Sequence, residues 1–231
     1  MKKLKVAQCW DDGVFTDIRL TDILKKYQAK ATFNLCTGLT SEVSVPVKWA
    51  KPEPGEPPAP INTFHSGRVG KDRLMEVYGN FEVASHCDLH ENAKTTAPQA
   101  FLESAMKSRT FLENFFQKEC RGFAWPYGTA TEETVKLLNE AGFAYGRTTA
   151  NTDEVLSYTD PLLLAPTCHF MNRLFWQKYQ LAKETTGVFY FWGHSYEMAD
   201  FEPYWSNFED MIAYISNDPE AEWVNVIDLV K

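Results

Sequence analysis

Short apolar runs alternate with segments of helical periodicity along most of the chain. The runs predict strands at residues 4–10, 30–36, 81–86, 122–126, 143–149, 161–166, 187–194 and 222–230. Apolar positions that recur every three or four residues predict helices at 15–28, 68–79, 97–118, 129–142, 171–184 and 204–216. Alternating strands and helices, with strands apolar on both faces, indicate a parallel sheet that is buried on both sides. Seven or eight such units suit a barrel better than an open sheet, so the pattern predicts an α/β barrel in a single domain.

Polar residues and a glycine mark the ends of two predicted helices. Thr16 is expected to cap the first helix. Thr129 and Glu132 have the spacing of a capping box, and Gly142 is a natural stop for the same helix. These signals place both helices directly after strands, as the alternating pattern requires.

Residues 41–66 interrupt this alternation. They contain six of the twelve prolines in the chain, and successive prolines remove backbone donors and fix φ, which predicts a loop that wraps or covers something. The segment is too short to be a second domain, so we expect residues 1–231 to form one domain with this loop as an insertion. A stiff surface excursion and a lid over a functional site are both compatible with its composition.

The acidic composition argues against nucleic acid or an anionic membrane surface as the main binding partner. With 23 Lys and Arg against 31 Asp and Glu, the net charge is −8, and no basic stripe favours nucleic acid or an anionic membrane surface. No stretch reaches the ~20 apolar residues of a membrane span, and the N-terminal apolar run is short for a signal peptide. If residue 1 is the natural start, a cytoplasmic protein is expected. The five scattered cysteines are expected to be reduced structural thiols, and the oligomeric state stays open.

Residues suited to chemistry follow four of the predicted strands. In chain order they are Asp11 and Asp12, His86 and His90, the segment Pro126-Tyr127-Gly128, and His194. Reactive groups of a parallel α/β sheet gather at the carboxyl ends of its strands. We therefore expect these residues to meet at one edge of the sheet.

His86 and His90 are four residues apart in the segment SHCDLHEN. On one helical turn they would project from the same face and share one metal ion, although this spacing taken alone is more often structural. Asp12 adds a carboxylate to the two imidazoles. One carboxylate and two neutral imidazoles suit Zn²⁺, and other divalent metals are also compatible.

Asp11 and Asp12 place two like charges side by side. Consecutive side chains of an extended strand point in opposite directions, but at a junction opened by Gly13 the pair can diverge around a common point. One carboxylate can then bind a cation while its neighbour faces the cation's water, and the cation offsets their repulsion. A plain turn with a helix cap is the alternative interpretation.

These segments resemble motifs of the polysaccharide deacetylase family, the carbohydrate esterases that include chitin and peptidoglycan deacetylases. CWDDGVF is similar to the first motif, TFDDG, and KATFNLCTG to the strand after it. EVASHCDLH is similar to the motif with two histidines, FAWPYG to the Pro-Tyr-Gly motif, and YFWGHSYEM to the late strand that carries a histidine. The likeness covers roughly residues 4–230, with the Pro-rich loop as an insertion.

The resemblance implies a distorted (β/α) barrel and metal-dependent removal of an N-acetyl group from a carbohydrate. It implies Asp11 as the general base, the backbone N–H of Tyr127 as the oxyanion donor and His194 as the general acid. The implied ligands of one divalent ion, most suitably Zn²⁺, are Asp12, His86 and His90. An N-acetylated carbohydrate is the implied substrate, and a cytoplasmic location would favour a small or soluble one.

Two alternatives keep the same fold. In the first, the site hydrolyses another C–N bond, such as that of a small cyclic amide, as allantoinases of the same wider fold do. In the second, the protein binds carbohydrate and has lost catalysis. The joint presence of metal-ligand and proton-carrier residues argues against a pure binder.

Three features depart from the family pattern. Cys87 stands where Ser or Thr often follows the first histidine. Ala124 and Trp125 occupy the place of an arginine that pairs with the base aspartate, and Arg147 is a candidate replacement. The third departure is that the aspartate which orients the acid histidine is not evident.

Two carboxylates near the late histidine could take over the orienting role. They are Glu197 and Asp200, and either could instead be an ordinary surface residue. His169, which follows the strand at 161–166, could line the pocket or be a structural histidine. Cys36, on a predicted strand, is expected to be a buried packing residue.

Overall fold

The computed structural model describes residues 3–50, 63–152 and 160–230, in which strands and helices alternate. The strands are β1 (Leu4–Asp11), β2 (Thr32–Leu35), β3 (Lys48–Ala50), β4 (Thr63–His65), β5 (Glu82–Ser85), β6 (Gly122–Ala124), β7 (Tyr145–Arg147), β8 (Cys168–His169), β9 (Val188–Gly193) and β10 (Ala221–Trp223). The α-helices are α1 (Asp17–Lys26), α2 (Leu74–Tyr78), α3 (Pro98–Phe116), α4 (Glu132–Glu140), α5 (Phe175–Glu184) and α6 (Glu202–Asn217). Most strands of the main sheet lead into a helix, as crossovers between parallel strands require.

Seven strands form a curled parallel sheet in the order β7-β6-β5-β2-β1-β9-β8. The eighth strand, β10, pairs with β1 over Leu4–Val6, on the edge that β2 occupies over Cys9–Asp11. Leu164 bridges to Arg147 of β7, and Cys168–His169 soon afterwards pair with β9. This connecting segment links the two ends of the sheet. The predicted (β/α) barrel of about seven parallel strands is therefore confirmed, in a distorted form.

Side chains alternate between two layers along β1. Val6 and Trp10 pack with the helices outside the sheet, whereas Ala7 and Cys9 pack inside the barrel. Because the side-chain period of a strand is two, Asp11 continues the inner series. Its carboxylate is thus delivered to the carboxyl end of the barrel interior.

The predicted strand at 161–166 is largely a tight turn. Pro161–Leu163 form a 3₁₀ turn, in which the Asp160 carboxylate accepts a hydrogen bond from Leu162 N–H (2.8 Å). Within this range Leu164 makes the bridge to β7. The capped turn thus replaces most of the expected strand.

The predicted strand at 222–230 is also shorter in the structure. Ala221–Trp223 form β10, and Val226–Leu229 form a second 3₁₀ turn. Val226 and Leu229 pack with Ala7 and Cys9 inside the barrel. The run is therefore apolar because the turn is buried, a case that periodicity does not distinguish from a strand.

Two helices begin differently from the prediction. Thr16 is the N-cap of α1 as expected, but its hydroxyl bonds Ser195 Oγ (2.7 Å) and makes no side-chain cap. The helix predicted at 68–79 is reduced to α2, because Arg68 instead forms an antiparallel bridge with Val45 of the insertion. Tertiary contacts override the local signal in both cases.

The N-cap of helix α4 lies two residues after the predicted one. Thr131 is its N-cap and accepts from Thr134 N–H (3.2 Å), so the expected capping box of Thr129 and Glu132 is wrong. Gly142 follows the end of the helix with φ 79°, and this predicted stop is confirmed.

In the described part of the insertion at 41–66, β3 and β4 pair antiparallel. Residues 51–62, with five of its six prolines, lie outside the described residues. The ring centroid of Phe64 in β4 lies 5.9 Å from that of Tyr196, which follows β9. The base of the insertion therefore lies beside the carboxyl end of the sheet.

Two expectations drawn from composition also bear on the fold. All five cysteines are described, buried and outside any disulfide, as expected of reduced structural thiols. Within the three described ranges, no helix has both the length and the apolar content needed to cross a bilayer.

Candidate active site

Strand β1 ends in a sharp change of backbone direction at Asp12 and Gly13. Their φ angles are 81° and 68°, in a left-handed region that costs a non-glycine residue roughly 1–2 kcal/mol. The Asp12 N–H donates to the carbonyl of Asn34 in β2 (3.0 Å), which holds the turn. Asp11 therefore continues the barrel interior while Asp12 turns away from it, as the expected divergence of the two carboxylates requires.

Asp11 is buried and paired with Arg147 of β7. Nη2 of Arg147 donates to both carboxylate oxygens (2.5 and 2.6 Å), and Asn34 Nδ2 donates to Oδ1 (2.7 Å). Burial alone would raise the pKa of Asp11, but the Arg147 charge and the smaller effects of His86, His194 and Asn34 together outweigh burial and hold that pKa well below its usual range. The carboxylate is therefore ionised at neutral pH, and its orientation is fixed.

Arg147 has few partners for a buried charge. Its side chain is 1% exposed, and its guanidinium carbon lies 5.2 Å from the centre of the Trp192 ring. Among the described residues, nothing accepts a hydrogen bond from its Nε or Nη1. Asp11 is thus the charge that compensates Arg147, and the two side chains depend on each other.

Asp12 lies between the imidazoles of His86 and His90. Its Oδ1 is 3.8 Å from His86 Nε2 and 3.6 Å from His90 Nε2. His86 Nδ1 donates to the Ala124 carbonyl (2.8 Å), which leaves the lone pair on Nε2. Burial lowers the pKa of His86 to about 4 and also lowers that of His90. Both rings are therefore neutral at neutral pH, the form that binds metal ions.

The two histidines do not lie on a helical turn, so that part of the prediction is wrong. Residues 86–92 form an irregular loop in which Cys87 and His90 have left-handed φ angles of 61° and 60°. The Asp88 N–H donates to Ser104 Oγ of α3 (2.8 Å) and anchors the loop. Loop geometry, rather than helical periodicity, brings the two rings to a centroid separation of 4.8 Å.

Cys36 borders this cluster, which the sequence analysis did not anticipate. Its thiol donates to the His86 carbonyl (3.2 Å) and lies 4.0 Å from Asp12 Oδ1. Donor atoms of Asp12, Cys36 and His86 all lie within 4.8 Å of one another. Burial holds the pKa of the thiol well above its ordinary value. Cys36 is buried as predicted, and its place directly after β2 was the available sign that it would lie near the site.

Arg68 adds a positive charge that the sequence analysis did not assign. Its guanidinium donates to the Asp12 carbonyl. The Arg68 backbone exchanges two hydrogen bonds of 2.8 Å with Val45, at the start of the insertion. Since the insertion separates Arg68 from β1, no local spacing connects it with Asp12.

His194 follows β9 and faces Asp11. Its Nε2 is 3.8 Å from Asp11 Oδ2, and its Nδ1 is 3.4 Å from Glu197 Oε1. Burial alone would lower the pKa of His194, but the hydrogen bond to Glu197 and the charges of Asp11 and Asp12 raise it above its ordinary value. Of the two carboxylates considered as its orienting partner, Glu197 rather than Asp200 makes this contact.

The Pro-Tyr-Gly segment forms a 3₁₀ turn after β6. Tyr127 has a left-handed φ of 58°, and its ring centroid lies 4.5 Å from that of His90. The turn therefore lies beside the histidine–carboxylate cluster. The six predicted site residues lie at the carboxyl edge of the sheet in two groups that the adjacent Asp11 and Asp12 connect. One group contains Asp12, His86, His90 and Tyr127, and the other contains Asp11 and His194.

The sequence profile of the polysaccharide deacetylase family matches residues 1–146, more than half of the chain. The chain belongs to the polysaccharide deacetylase family. This match confirms the resemblance inferred from the motifs. It includes the motif residues from Asp11 to Tyr127, whereas His194 lies beyond the matched range.

Relatives of this polysaccharide deacetylase family member include poly-β-1,6-N-acetyl-D-glucosamine N-deacetylase from Staphylococcus aureus, which is 27% identical over 135 residues. That match covers 54% of this chain and 40% of the relative, so the chain spans less than half the length of the curated relatives it matches. The Xyl-CE4 domain of a multidomain xylanase from the hindgut metagenome of Trinervitermes trinervoides is similar in structure (TM-score 0.58, 16% identity, 99% of this chain and 90% of that chain). So is a CE4 family pseudoenzyme from Bacillus anthracis (TM-score 0.55, 16% identity, 99% of this chain and 66% of that chain). These structural similarities support the fold.

The arginine that the family pattern places before the Pro-Tyr motif is replaced from another strand. Arg147 of β7 contacts Asp11, as expected of a replacement. At the family position, Ala124 instead offers its carbonyl to His86, and Trp125 is fully buried in the core. Asp11 therefore keeps a cationic partner despite the altered motif.

Proposed function

We propose that this member of the polysaccharide deacetylase family hydrolyses the N-acetyl group of an N-acetylated polysaccharide or oligosaccharide with the help of one divalent ion. The supporting observation is that a buried, ionised Asp11 lies at the same edge of the barrel as the Asp12–histidine cluster and His194. The relative from S. aureus is named for poly-β-1,6-N-acetyl-D-glucosamine. We therefore propose an N-acetylglucosamine polymer as the first substrate to test.

We propose that Asp12, His86 and His90 hold the divalent ion, because the Asp12 carboxylate lies close to both imidazoles. Asp12 Oδ1 is 3.8 Å and 3.6 Å from the two Nε2 atoms, separations that an ion with bonds of about 2.0–2.2 Å spans. One carboxylate and two neutral imidazoles suit Zn²⁺, and other divalent ions with similar ligand preferences also fit. When bound, such an ion would polarise the acetamide carbonyl and lower the pKa of a water molecule.

Asp11 is proposed as the base and His194 as the acid. Arg147 and Asn34 hold the ionised Asp11 in place, so it can accept a proton from the attacking water without reorienting. The raised pKa of His194 keeps this imidazole protonated to higher pH than a free one, and it can donate to the departing amine. The backbone N–H of Tyr127 is proposed to donate to the oxyanion of the tetrahedral intermediate.

Acetate release tests this proposal directly. We expect the Zn²⁺-supplied wild type to release acetate and expose primary amines on soluble poly-β-1,6-N-acetylglucosamine. Asp11→Asn should slow release about 10²–10⁴-fold, the usual contribution of a general base. Asp72→Asn, the same change at an exposed aspartate, is the matched control. Because Asp11→Asn leaves Arg147 without its buried counter-charge, far-UV circular dichroism must show that the variant is folded.

Other outcomes of this experiment separate the alternatives. Unchanged acetate release by folded Asp11→Asn would remove the base assignment. Ring opening of a small cyclic amide, without acetate release from any glycan, would favour the allantoinase-like alternative. Binding of the polymer without hydrolysis of any amide would favour a carbohydrate-binding protein.

Glu197→Gln is expected to move the alkaline limb of the pH–rate profile to lower pH. The Glu197 carboxylate favours the protonated form of His194, and a neutral amide does not. The acid is then lost earlier as the pH rises. Measuring kcat from about pH 5.5 to 9.5 locates the limb, and Glu202→Gln, at the start of α6, is the control. An unchanged limb would show that Glu197 does not tune the acid.

A further inference from the structure

His169, at the end of β8, contacts Glu197 in the candidate active site, and the proposed mechanism gives it no role. Its Nε2 lies 2.9 Å from Glu197 Oε2, and its side chain is 22% exposed. Its ring meets the edge of Trp192 at a centroid distance of 4.8 Å and an interplanar angle of 82°. The imidazole is therefore held between the end of β9 and the turn that carries Glu197.

The hydrogen bond that Nδ1 of His169 accepts determines which ring nitrogen carries the hydrogen. Met171 N–H donates to His169 Nδ1 (3.3 Å), so Nδ1 is an acceptor. In a neutral imidazole with Nδ1 accepting, the hydrogen is on Nε2. His169 is thus a donor to Glu197.

Glu197 is held at both carboxylate oxygens. Oε2 accepts from His169 and, at 3.3 Å, from the backbone N–H of His194. Oε1 lies 3.4 Å from His194 Nδ1. With Nδ1 engaged, Nε2 of His194 is the nitrogen that faces Asp11 Oδ2 at 3.8 Å. The placement of the carboxylate therefore decides which nitrogen of His194 faces the reaction centre.

The spacing of this cluster would also suit a cation. Donor atoms of His169, His194 and Glu197 lie within 4.8 Å of one another. A cation at this place would need the lone pair of His169 Nε2. The hydrogen bond from Met171 N–H to Nδ1 leaves the hydrogen on Nε2 instead. The cluster is organised for hydrogen bonding.

We propose that His169 is a positioning residue for the acid His194 and that it acts through Glu197. The Nε2–H of His169 donates a hydrogen bond that fixes the Glu197 carboxylate. The carboxylate in turn accepts a hydrogen bond from the Nδ1–H of His194, so Nε2 of His194 is left to face the amine of the substrate. This inference rests on the proposed deacetylase function. It gives the chain an imidazole–carboxylate–imidazole arrangement where the family resemblance implies a single orienting aspartate.

Two substitutions of His169 separate positioning from packing. In His169→Gln the amide nitrogen reaches about as far as Nε2 and keeps a donor for Glu197, whereas in His169→Asn it corresponds to Nδ1 and falls short. We expect His169→Asn to lower kcat about tenfold, the lower end of the usual effect of an orienting partner, with KM unchanged and the alkaline limb shifted to lower pH. His169→Gln should keep most of the wild-type kcat. The charged and titratable groups around His194 are the same in both variants; among the described residues they are Asp11, Asp12, Asp17, His90, Tyr196 and Glu197.

Nitrogen-15 spectra of the imidazoles give a readout that does not depend on turnover. We expect neutral His194 in the Zn²⁺-loaded wild type to carry its hydrogen on Nδ1, and to become a mixture of tautomers in His169→Asn. If no glycan is deacetylated but this change occurs, the proposed function fails and the positioning role stands. If His169→Asn kept the wild-type kcat, pH profile and imidazole spectrum, the proposal would be overturned. A second Zn²⁺ per chain, lost in His169→Asn and kept in Asp12→Ala, would also overturn it and make the cluster a cation site.

Discussion

Asp12→Ala is expected to remove the bound divalent ion and to slow acetate release by about a thousandfold or more, roughly 4 kcal/mol of transition-state stabilisation. Asp12 Oδ1 lies between the Nε2 atoms of His86 and His90, at 3.8 Å and 3.6 Å, and it supplies the negative charge of the proposed donor set. Without it two neutral imidazoles remain, which bind a divalent ion less tightly. Elemental analysis after dialysis against a weak chelator gives the ion content per chain, and an acetate assay gives the rate.

The backbone at Asp12 calls for a second substitution. With φ at 81°, alanine fits this position less well than asparagine, which tolerates the left-handed region. Asp12→Asn should therefore weaken Zn²⁺ binding while thermal stability stays at the wild-type level. Asp72→Ala, at an exposed aspartate that accepts from Ser44 N–H (2.9 Å), should change neither property. One tightly held ion per chain in both Asp12→Ala and His86→Ala would contradict the proposed ligand set.

Arg147→Met is expected to lower the free energy of unfolding by about 3–5 kcal/mol at neutral pH, the usual cost of leaving a buried charge without its partner. Nη2 of Arg147 donates to both oxygens of Asp11, and both side chains are buried. Methionine fills much of the volume but offers no charge. Urea denaturation of the metal-free protein at pH 7 measures the loss.

The pH dependence of stability should change sign with this substitution. In the wild type the pKa of Asp11 lies below its unfolded value, so its contribution to stability is present above that value, about 3.9, and is lost as the pH falls through the folded pKa. In Arg147→Met burial remains without the compensating charge, and the folded pKa rises above the unfolded one. The variant should therefore gain stability as the pH is lowered from about 7 to 5.

Two further variants test whether the effect of Arg147→Met comes from its pair with Asp11. Asp11→Asn/Arg147→Met removes both charges and should recover a large part of the lost stability. Arg19→Met breaks an exposed ion pair with Glu202 and should leave the urea midpoint nearly unchanged. If Arg147→Met matched Arg19→Met in both stability and pH dependence, the pair of Arg147 and Asp11 would not be the compensating interaction described here.

The strand ends could be located from the sequence because an apolar run followed by polar residues is a local pattern. Asp11, His86 and His194 end or directly follow strands that form close to where they were predicted. The carboxyl ends of parallel strands share one edge, so their meeting followed without knowledge of the strand order. The same local pattern failed at 161–166 and 222–230, because turns that bury some of their apolar side chains leave apolar runs similar to those of strands.

The partners of the site residues could not be obtained in this way. Arg147 was a candidate for Asp11 from its place at a strand end, but the contact joins positions 136 residues apart, and its burial depends on how the barrel closes. Arg68 reaches Asp12 from the far side of the insertion. The helical spacing expected of His86 and His90 was wrong because the loop at 86–92 is anchored to α3 rather than wound into a helix.

The sequence by itself determined the family, most of the main strands and helices, and the six residues that lie at one edge of the barrel, since each of these depends on motifs and on hydrophobic periodicity along the chain. Only the tertiary structure decided which arginine compensates Asp11, that Glu197 contacts His194, and that His169 donates to Glu197. The physical reason is that these contacts join residues that are far apart in the chain. A hydrogen bond requires two atoms to lie within about 3.5 Å in a suitable direction, and that placement is set by the packing of distant strands and loops rather than by neighbours in the chain.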